Sequence, residues 1–165
     1  MILGIFDLST YTVLHVIISL IGIVSGLVVL KGMLASQRLE GWTAVFLATT
    51  ALTSLTGFGF PFDHVLPSHV VGILTLAALL VAILAYYLFR LAGAWRWLYV
   101  VSAIVALWFN VFVLVAQAFN KIAALNALAP MQSEPPFLIA QTVVLVVFIV
   151  LAIVAVRKFH PPAAR

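Results

Sequence analysis

The chain is a series of long apolar runs separated by charged and turn-forming residues. Five intervals contain no Asp, Glu, Lys or Arg: 8–30, 41–62, 64–89, 97–120 and 135–156. Each interval is at least as long as the roughly 20 residues that a helix needs to cross the hydrocarbon core of a bilayer. In lipid, backbone groups must form hydrogen bonds within their own segment, and these runs lack the alternation typical of membrane barrels. The pattern therefore predicts five transmembrane α-helices.

Prolines and a glycine mark the boundaries between these helices. Pro61 and Pro67 separate the second run from the third, Gly93 separates the third from the fourth, and Pro130 and Pro135 precede the fifth. Such residues end helices or begin new ones. We predict an all-α, polytopic membrane protein in which one domain, 1–165, is a single bundle of five transmembrane helices at about 9–33, 42–60, 69–91, 95–127 and 136–158.

The composition agrees with a surface that faces lipid. Hydrophobic residues make up 66% of the chain and charged residues only 7%, whereas a soluble domain has about 25% charged residues. The lipid bilayer is therefore the first predicted partner. The net charge of +4 comes from cationic residues at the ends of the apolar runs, so we do not interpret it as a surface for nucleic acid.

The basic residues are divided unequally between the two sides of the predicted bundle. Residues 31–40, 90–96 and 157–165 hold seven of the eight Lys and Arg, and the opposite side holds only Lys121. Cytoplasmic segments of membrane proteins carry an excess of Lys and Arg. We therefore predict that the N-terminus lies outside and the C-terminus in the cytoplasm.

Small residues indicate how the helices pack. At 100° per residue, His15, Ser19, Gly22 and Gly26 fall on one stripe of the first helix. Helices in membranes associate through small residues and interhelical hydrogen bonds. This stripe is predicted to face the bundle interior, and such small-residue faces could also contact a second copy or a partner in a membrane complex.

Several polar side chains share stripes with small residues in the half of the bundle that is predicted to be outer. They are His15, Thr56, Asn110, Gln117 and Gln141. A polar group facing hydrocarbon without a partner is costly, so these side chains should point inward. Two interpretations stay open: a polar pocket that binds a ligand near the outer face, or amides and hydroxyls that only hold helices together.

Histidine is the residue type in this chain most able to carry chemistry. Asp63, His64 and His69, with help from His15, could hold a metal ion, although no recognised ligand spacing supports this and a polar interfacial loop is the alternative. His15 and His69 lie at similar heights in helices of the same direction, so a b-type haem could bind between them. The chain has no cysteine, which excludes thiolate metal sites within it.

Enzymatic signatures are missing from the sequence, which contains no HExxH, no GxSxG and no glycine-rich phosphate loop. We therefore predict a non-enzymatic accessory, binding or conducting bundle. The alternative is a membrane redox protein that binds b-type haem or quinone near the outer face.

Four stretches carry a resemblance to other proteins: TSLTGF at 53–58, LPSHVVG at 66–72, GAWRWLY at 93–99 and QSEPPF at 132–137. In these stretches the chain resembles small hypothetical inner-membrane proteins of bacteria, over nearly its whole length. The resemblance implies a location in the bacterial inner membrane and assigns no functional residues.

Overall fold

The computed structural model of the chain describes residues 7–61 and 67–162. In these ranges the chain is all-helical and contains no strand, which confirms the all-α part of the predicted fold class. The helices are α1 (Leu8–Leu34), α2 (Glu40–Gly57), α3 (Pro67–Ile83, continued by a π-helical turn, Leu84–Leu88), α4 (Ala94–Lys121), the short α5 (Ala123–Leu128) and α6 (Pro135–Lys158). Asp7 caps α1, since its carboxylate accepts a hydrogen bond of 2.9 Å from the Thr10 amide.

Two of the predicted helices differ from the observed ones. The helix predicted at 95–127 is divided into α4 and α5 by Ile122, whose backbone is extended at φ −92° and ψ 114°. The helix predicted at 69–91 ends in the π-helical turn, and the next loop contains Arg90 and Leu91 at positive φ of 49° and 62°. Neither break has a proline or glycine at its first residue, so the sequence signals that we used could not find them.

Four helices are long and apolar enough to cross a membrane: Leu8–Leu34, Pro67–Leu88, Ala94–Lys121 and Pro135–Lys158. α2 is not among them, because Glu40 and its five threonines lower the mean hydropathy of this helix. The prediction of five crossings is therefore not confirmed. The described chain is a helical bundle with four candidate membrane-spanning helices, and its apolar outer surface is compatible with lipid.

α1 and α2 form an antiparallel pair that is packed through glycine. A Cβ atom built on Gly26 would lie 2.8 Å from the Phe46 ring of α2 and 2.6 Å from Leu107 of α4. One turn away, a Cβ atom on Gly22 would lie 3.2 Å from the Thr50 hydroxyl. Both glycines are buried, as the small-residue stripe predicts, and the absence of their side chains lets three helices meet.

The basic side chains collect at one end of the bundle. Three hydrogen bonds join the chain segments there: His160 N to Ser36 Oγ at 2.8 Å, Arg38 Nη2 to Arg90 O at 3.1 Å, and Arg96 Nη1 to Phe159 O at 2.6 Å. The cationic side chains of this region are Lys31, Arg38, Arg90, Arg96, Arg157 and Lys158. We call this region the basic end. The starts of α1, α3 and α6 lie at the opposite end.

Candidate functional site

His15 lies two turns into α1 and contacts the last turn of α2. Its Nδ1 atom is 2.8 Å from Thr56 Oγ1. The Thr56 hydroxyl donates its own proton to the Leu52 carbonyl at 2.7 Å, so it accepts from His15 Nδ1–H. This network assigns the tautomer in which Nε2 carries the lone pair. His15 therefore offers a hydrogen-bond acceptor or a ligand atom at Nε2.

Two aromatic residues complete the surroundings of His15. Tyr11 lies one turn earlier in α1 and donates its hydroxyl proton to the Thr56 carbonyl at 2.7 Å. The Phe60 ring meets both side chains edge-on, with centroid distances of 5.1 Å to His15 and 5.0 Å to Tyr11. A Cβ atom at Gly59 would overlap the Tyr11 hydroxyl, so glycine is required there. We call Tyr11, His15, Thr56 and Phe60 the His15 site.

Asn110 belongs to a different contact, about two helical turns from His15. Its side chain is buried, and Nδ2 donates to Thr50 Oγ1 at 3.1 Å. A Cβ atom on Gly22 would lie 3.5 Å from the same nitrogen. Asn110 therefore joins α4 to α2 at the point where α1 approaches both, and its amide acts as an interhelical link.

Gln141 and Gln117 lie apart from the two contacts just described. Gln141 Nε2 donates to the Phe112 carbonyl of α4 at 3.0 Å, and its Oε1 atom is buried without a partner. Gln117 is exposed on the surface of α4. The five residues predicted to line one polar pocket thus lie in three separate contacts, except Gln117, which lies on the surface. Residues on one face of a helix are buried only where a neighbouring helix packs against that part of the face. Gln117 lies where no helix covers it.

The two histidines proposed as haem ligands have different neighbours. His69 is buried and stacks on Phe58, with a centroid distance of 5.5 Å and an interplanar angle of 16°. His15 instead packs against Phe60 and Thr56. Both rings thus lie near the end of α2, where they contact different residues. Haem ligation by this pair stays a prediction.

The predicted metal site falls mainly outside the described part of the chain. Asp63 and His64 lie in the interval 62–66, which the structure does not describe, while His69 lies in the first turns of α3. Within 7–61 and 67–162, no group of three or more His, Asp or Glu side chains could hold a metal ion.

Two surface grooves are lined by apolar side chains and lie away from the His15 site. A groove of about 290 Å³ runs between α4 and α6, where Trp108 and Phe148 line it. A second groove of about 340 Å³ lies beside Leu20, Val24 and Trp42. Such apolar surfaces are what a bundle presents to lipid, so neither groove indicates a polar ligand.

Sequence reasoning missed Tyr11 and Phe60 as members of the site. Tyr11 lies four residues before His15, so both side chains share a helix face, and this spacing could have been used to find it. Phe60 follows the end of α2, where no periodicity predicts its direction.

The fold and the site together define a class, an all-helical bundle with candidate membrane-spanning helices and a histidine contact near one end. No protein-family model, curated protein or solved structure matches the chain. The proposals below therefore depend on the physical chemistry of its own residues.

Proposed function

We propose that this protein is a five-helix integral membrane protein of a bacterial inner membrane, and that it is a non-enzymatic binding or accessory protein. Its ligand or partner group would be held at the His15 site. The observation that carries the proposal is the 2.8 Å contact of His15 Nδ1 with Thr56 Oγ1 beside the Phe60 ring, which favours the tautomer with its lone pair on Nε2.

The fifth crossing is α2, and the path of the chain supports it. The Arg38–Arg90 hydrogen bond joins the loops that precede α2 and follow α3 at the same end of the bundle. In the part of the sequence between these two loops, the chain must therefore run away from the basic end and come back to it. α3 with its π-helical turn is long enough for one passage, so α2 has to supply the other.

Contacts with α1 run along more than half of α2. Tyr11 and Gly26 of α1 face Thr56 and Phe46 of α2, and at 1.5 Å per residue these contacts cover roughly 22 Å of α1 and roughly 15 Å of α2. The polarity of α2 is reduced where threonine hydroxyls bond to their own helix, as Thr49 does to Val45 O at 2.7 Å. A helix packed on several sides by its neighbours also needs less apolar surface than one surrounded by lipid.

The basic end then lies in the cytoplasm. Cationic loops remain on the cytoplasmic side during insertion, and the structure gathers these loops at one end through direct hydrogen bonds. This orientation gives an external N-terminus and a cytoplasmic C-terminus. The His15 site, at the opposite end, would open toward the outer face.

The chemistry of the His15 site suits a ligand with a hydrogen-bond donor beside a flat apolar group. Nε2 accepts the donor hydrogen, and the ring edges of Tyr11 and Phe60 provide apolar contact. Nε2 of His15 is also the atom that would ligate haem iron. A redox protein that binds b-type haem or quinone therefore remains the second candidate. In that case His15 and the sequence-predicted His69 would be the residues that hold the haem, which would supply electron transfer.

An absorption spectrum tests the haem alternative, and a ligand titration tests whether the His15 site binds a hydrogen-bond donor. We expect protein purified from its membrane in mild detergent to show no Soret band. A Soret band would instead establish the haem alternative. ¹⁵N spectra of labelled histidine should then assign Nδ1–H to His15, and a soluble benzoquinol serves as the hydrogen-bond donor probe. We expect the quinol to shift the Nε2 resonance of His15 and to leave exposed His160 unchanged.

Two variants provide the controls for this titration. Thr56→Val removes the hydroxyl that accepts from His15 Nδ1–H and keeps nearly the same side-chain shape. The His15 proton should then no longer be confined to Nδ1, and the quinol should shift the Nε2 resonance less. His160→Ala should leave the response as it is in the wild type. If the quinol shifts both histidines equally, or if His15 carries its proton on Nε2, the proposed site is wrong.

A further inference from the structure

The basic end contains a side-chain pair whose hydrogen-bonding groups are not satisfied. Arg38 lies with its guanidinium carbon 5.8 Å from the centre of the Tyr86 ring. The Arg38 Nε–H and the Tyr86 hydroxyl are both buried without a partner. A buried donor that lacks an acceptor costs a folded protein free energy, and native structures contain few of them. Two such donors on adjacent side chains indicate a missing acceptor.

The neighbours of Tyr86 do not provide that acceptor. Tyr86 is 8% exposed, and its ring lies 4.9 Å from the Tyr99 ring. The Tyr99 hydroxyl lies 3.4 Å from Thr43 Oγ1, which makes a weak contact between those two residues. The Tyr86 hydroxyl lies near Thr43 but forms no hydrogen bond of ordinary length with it. The Arg38 Nε–H and the Tyr86 hydroxyl therefore have no acceptor within hydrogen-bond distance.

The backbone around the pair is irregular in two independent ways. Tyr86 lies in the π-helical turn Leu84–Leu88, the only such turn in the described residues. Arg90 and Leu91 then adopt positive φ, and Arg90 directs its carbonyl to Arg38 Nη2. π-helical turns and left-handed non-glycine residues are costly and concentrate at functional sites and ligand clamps. Both features occur where the unpaired donors are.

We propose that Arg38 and Tyr86 form a binding site for one phosphate group at the basic end. Guanidinium groups match the geometry of phosphate oxygens, and a phenol supplies a further donor. In the proposed topology this end lies at the level of the lipid headgroups, so the phosphate of an anionic lipid is one source and free phosphate is the other. Because both donors are covered by protein, the half-buried Arg38 side chain must shift to admit the phosphate between its guanidinium and the Tyr86 hydroxyl.

The surrounding charges favour an anion, with one exception. The basic end carries six Lys and Arg among the described residues, and Glu40 is the one described acidic residue there. Glu40 opens α2 close to Arg38 and is exposed, so it opposes an anion at this site. Glu40→Gln should therefore tighten phosphate binding. This expectation does not depend on the His15 site.

Thermal unfolding of the detergent-purified protein measures this binding directly. Three probes are compared: dioctanoyl phosphatidylglycerol, dioctanoylglycerol, which lacks the phosphate, and inorganic phosphate. Stabilisation grows with ligand concentration according to the dissociation constant. We expect phosphatidylglycerol to stabilise the wild type more than dioctanoylglycerol does. An equal effect of inorganic phosphate at similar concentration would support the site and identify free phosphate as the source.

Matched variants separate the proposed site from general attraction to a cationic surface. Arg38→Gln should raise the dissociation constant at least about tenfold, as expected for loss of charged hydrogen bonds. Tyr86→Phe should raise it several-fold while leaving the unliganded protein at least as stable, because it removes an unpaired buried hydroxyl. The controls are Arg157→Gln and Tyr87→Phe, two exposed residues of the same region, for which we expect changes of less than about twofold.

Several outcomes would overturn the proposal. They are equal stabilisation by both lipids with no effect of inorganic phosphate, equal losses in Arg38→Gln and Arg157→Gln, and unchanged binding in Tyr86→Phe. If Arg38→Gln fails to fold, Arg38→Lys replaces it, since lysine keeps the charge and lacks both Nε and the fork. Wild-type affinity in Arg38→Lys would also refute the site.

Discussion

Gly26 is a position where a single methyl group should disturb the packing of three helices. The added Cβ atom of Gly26→Ala would lie 2.6 Å from Leu107 Cδ1 and 2.8 and 2.9 Å from two carbons of the Phe46 ring. Phe46 and Leu107 are each 1% exposed, so neither side chain has free space to move into. The methyl group can be accommodated only if α1 moves away from α2 and α4.

The magnitude follows from two opposing terms. Overpacking of a close-packed core costs about 1–3 kcal/mol, while replacing glycine by alanine in a helix gains about 1 kcal/mol. Gly41→Ala isolates the second term, because a Cβ atom there meets nothing within 4 Å. We therefore expect Gly26→Ala to be about 1–3 kcal/mol less stable than Gly41→Ala, and Gly26→Leu to be less stable still.

The assay is reversible unfolding in mixed micelles, followed by circular dichroism for the wild type and the three variants. Gly22→Ala gives an intermediate case, since its nearest neighbours would be hydroxyl oxygens at 3.2 and 3.3 Å. The close approach of α1 to α2 and α4 is refuted if Gly26→Ala gains as much stability as Gly41→Ala does.

Other polar contacts give predictions of different size. Asn110→Ala should cost about 1–2 kcal/mol, because it removes a buried interhelical hydrogen bond to Thr50 and leaves a small cavity. Gln141→Leu should change the unfolding free energy by less than about 0.6 kcal/mol, since its Oε1 atom already lacks a partner; a larger loss would show that its bond to Phe112 matters more than we infer. Arg96→Gln should fray the end of α6, because the guanidinium donates to the Val156 and Phe159 carbonyls at 3.1 and 2.6 Å. Hydrogen exchange at 155–159 should then accelerate while the amides of α1 keep wild-type rates, and unchanged exchange would contradict this role.

Much of the fold could be predicted because hydropathy and breaker residues are local signals. The observed bounds of α1 and α6 lie within one residue of the predicted ones. The glycine contacts of α1 were also predictable, because small residues four apart lie on one helix face. The break at Ile122 and the π-helical turn were not, since neither begins at a proline or a glycine.

The polar site was predicted less well, because it depends on which helices are neighbours at each level. His15 and Thr56 do meet, and their spacing along separate helices could not have shown this without the register of α1 against α2. The prediction assumes a symmetrical bundle, in which every stripe of small and polar residues points inward. It therefore expects inward side chains at Asn110, Gln117 and Gln141. In the observed arrangement they face α2, the surface and α4 respectively.

Single-cysteine labelling tests the five-helix membrane topology most directly, and the absence of native cysteine makes it practical. Gln37→Cys lies before α2 at the basic end, Pro61→Cys follows α2, and Met131→Cys precedes α6, where Met131 is 78% exposed. With a membrane-impermeant maleimide on intact spheroplasts, we expect the cysteines at 61 and 131 to be labelled and the one at 37 to be labelled only after permeabilisation. Labelling of 37 and 61 from the same side would show that α2 does not cross the membrane and would contradict the proposed topology.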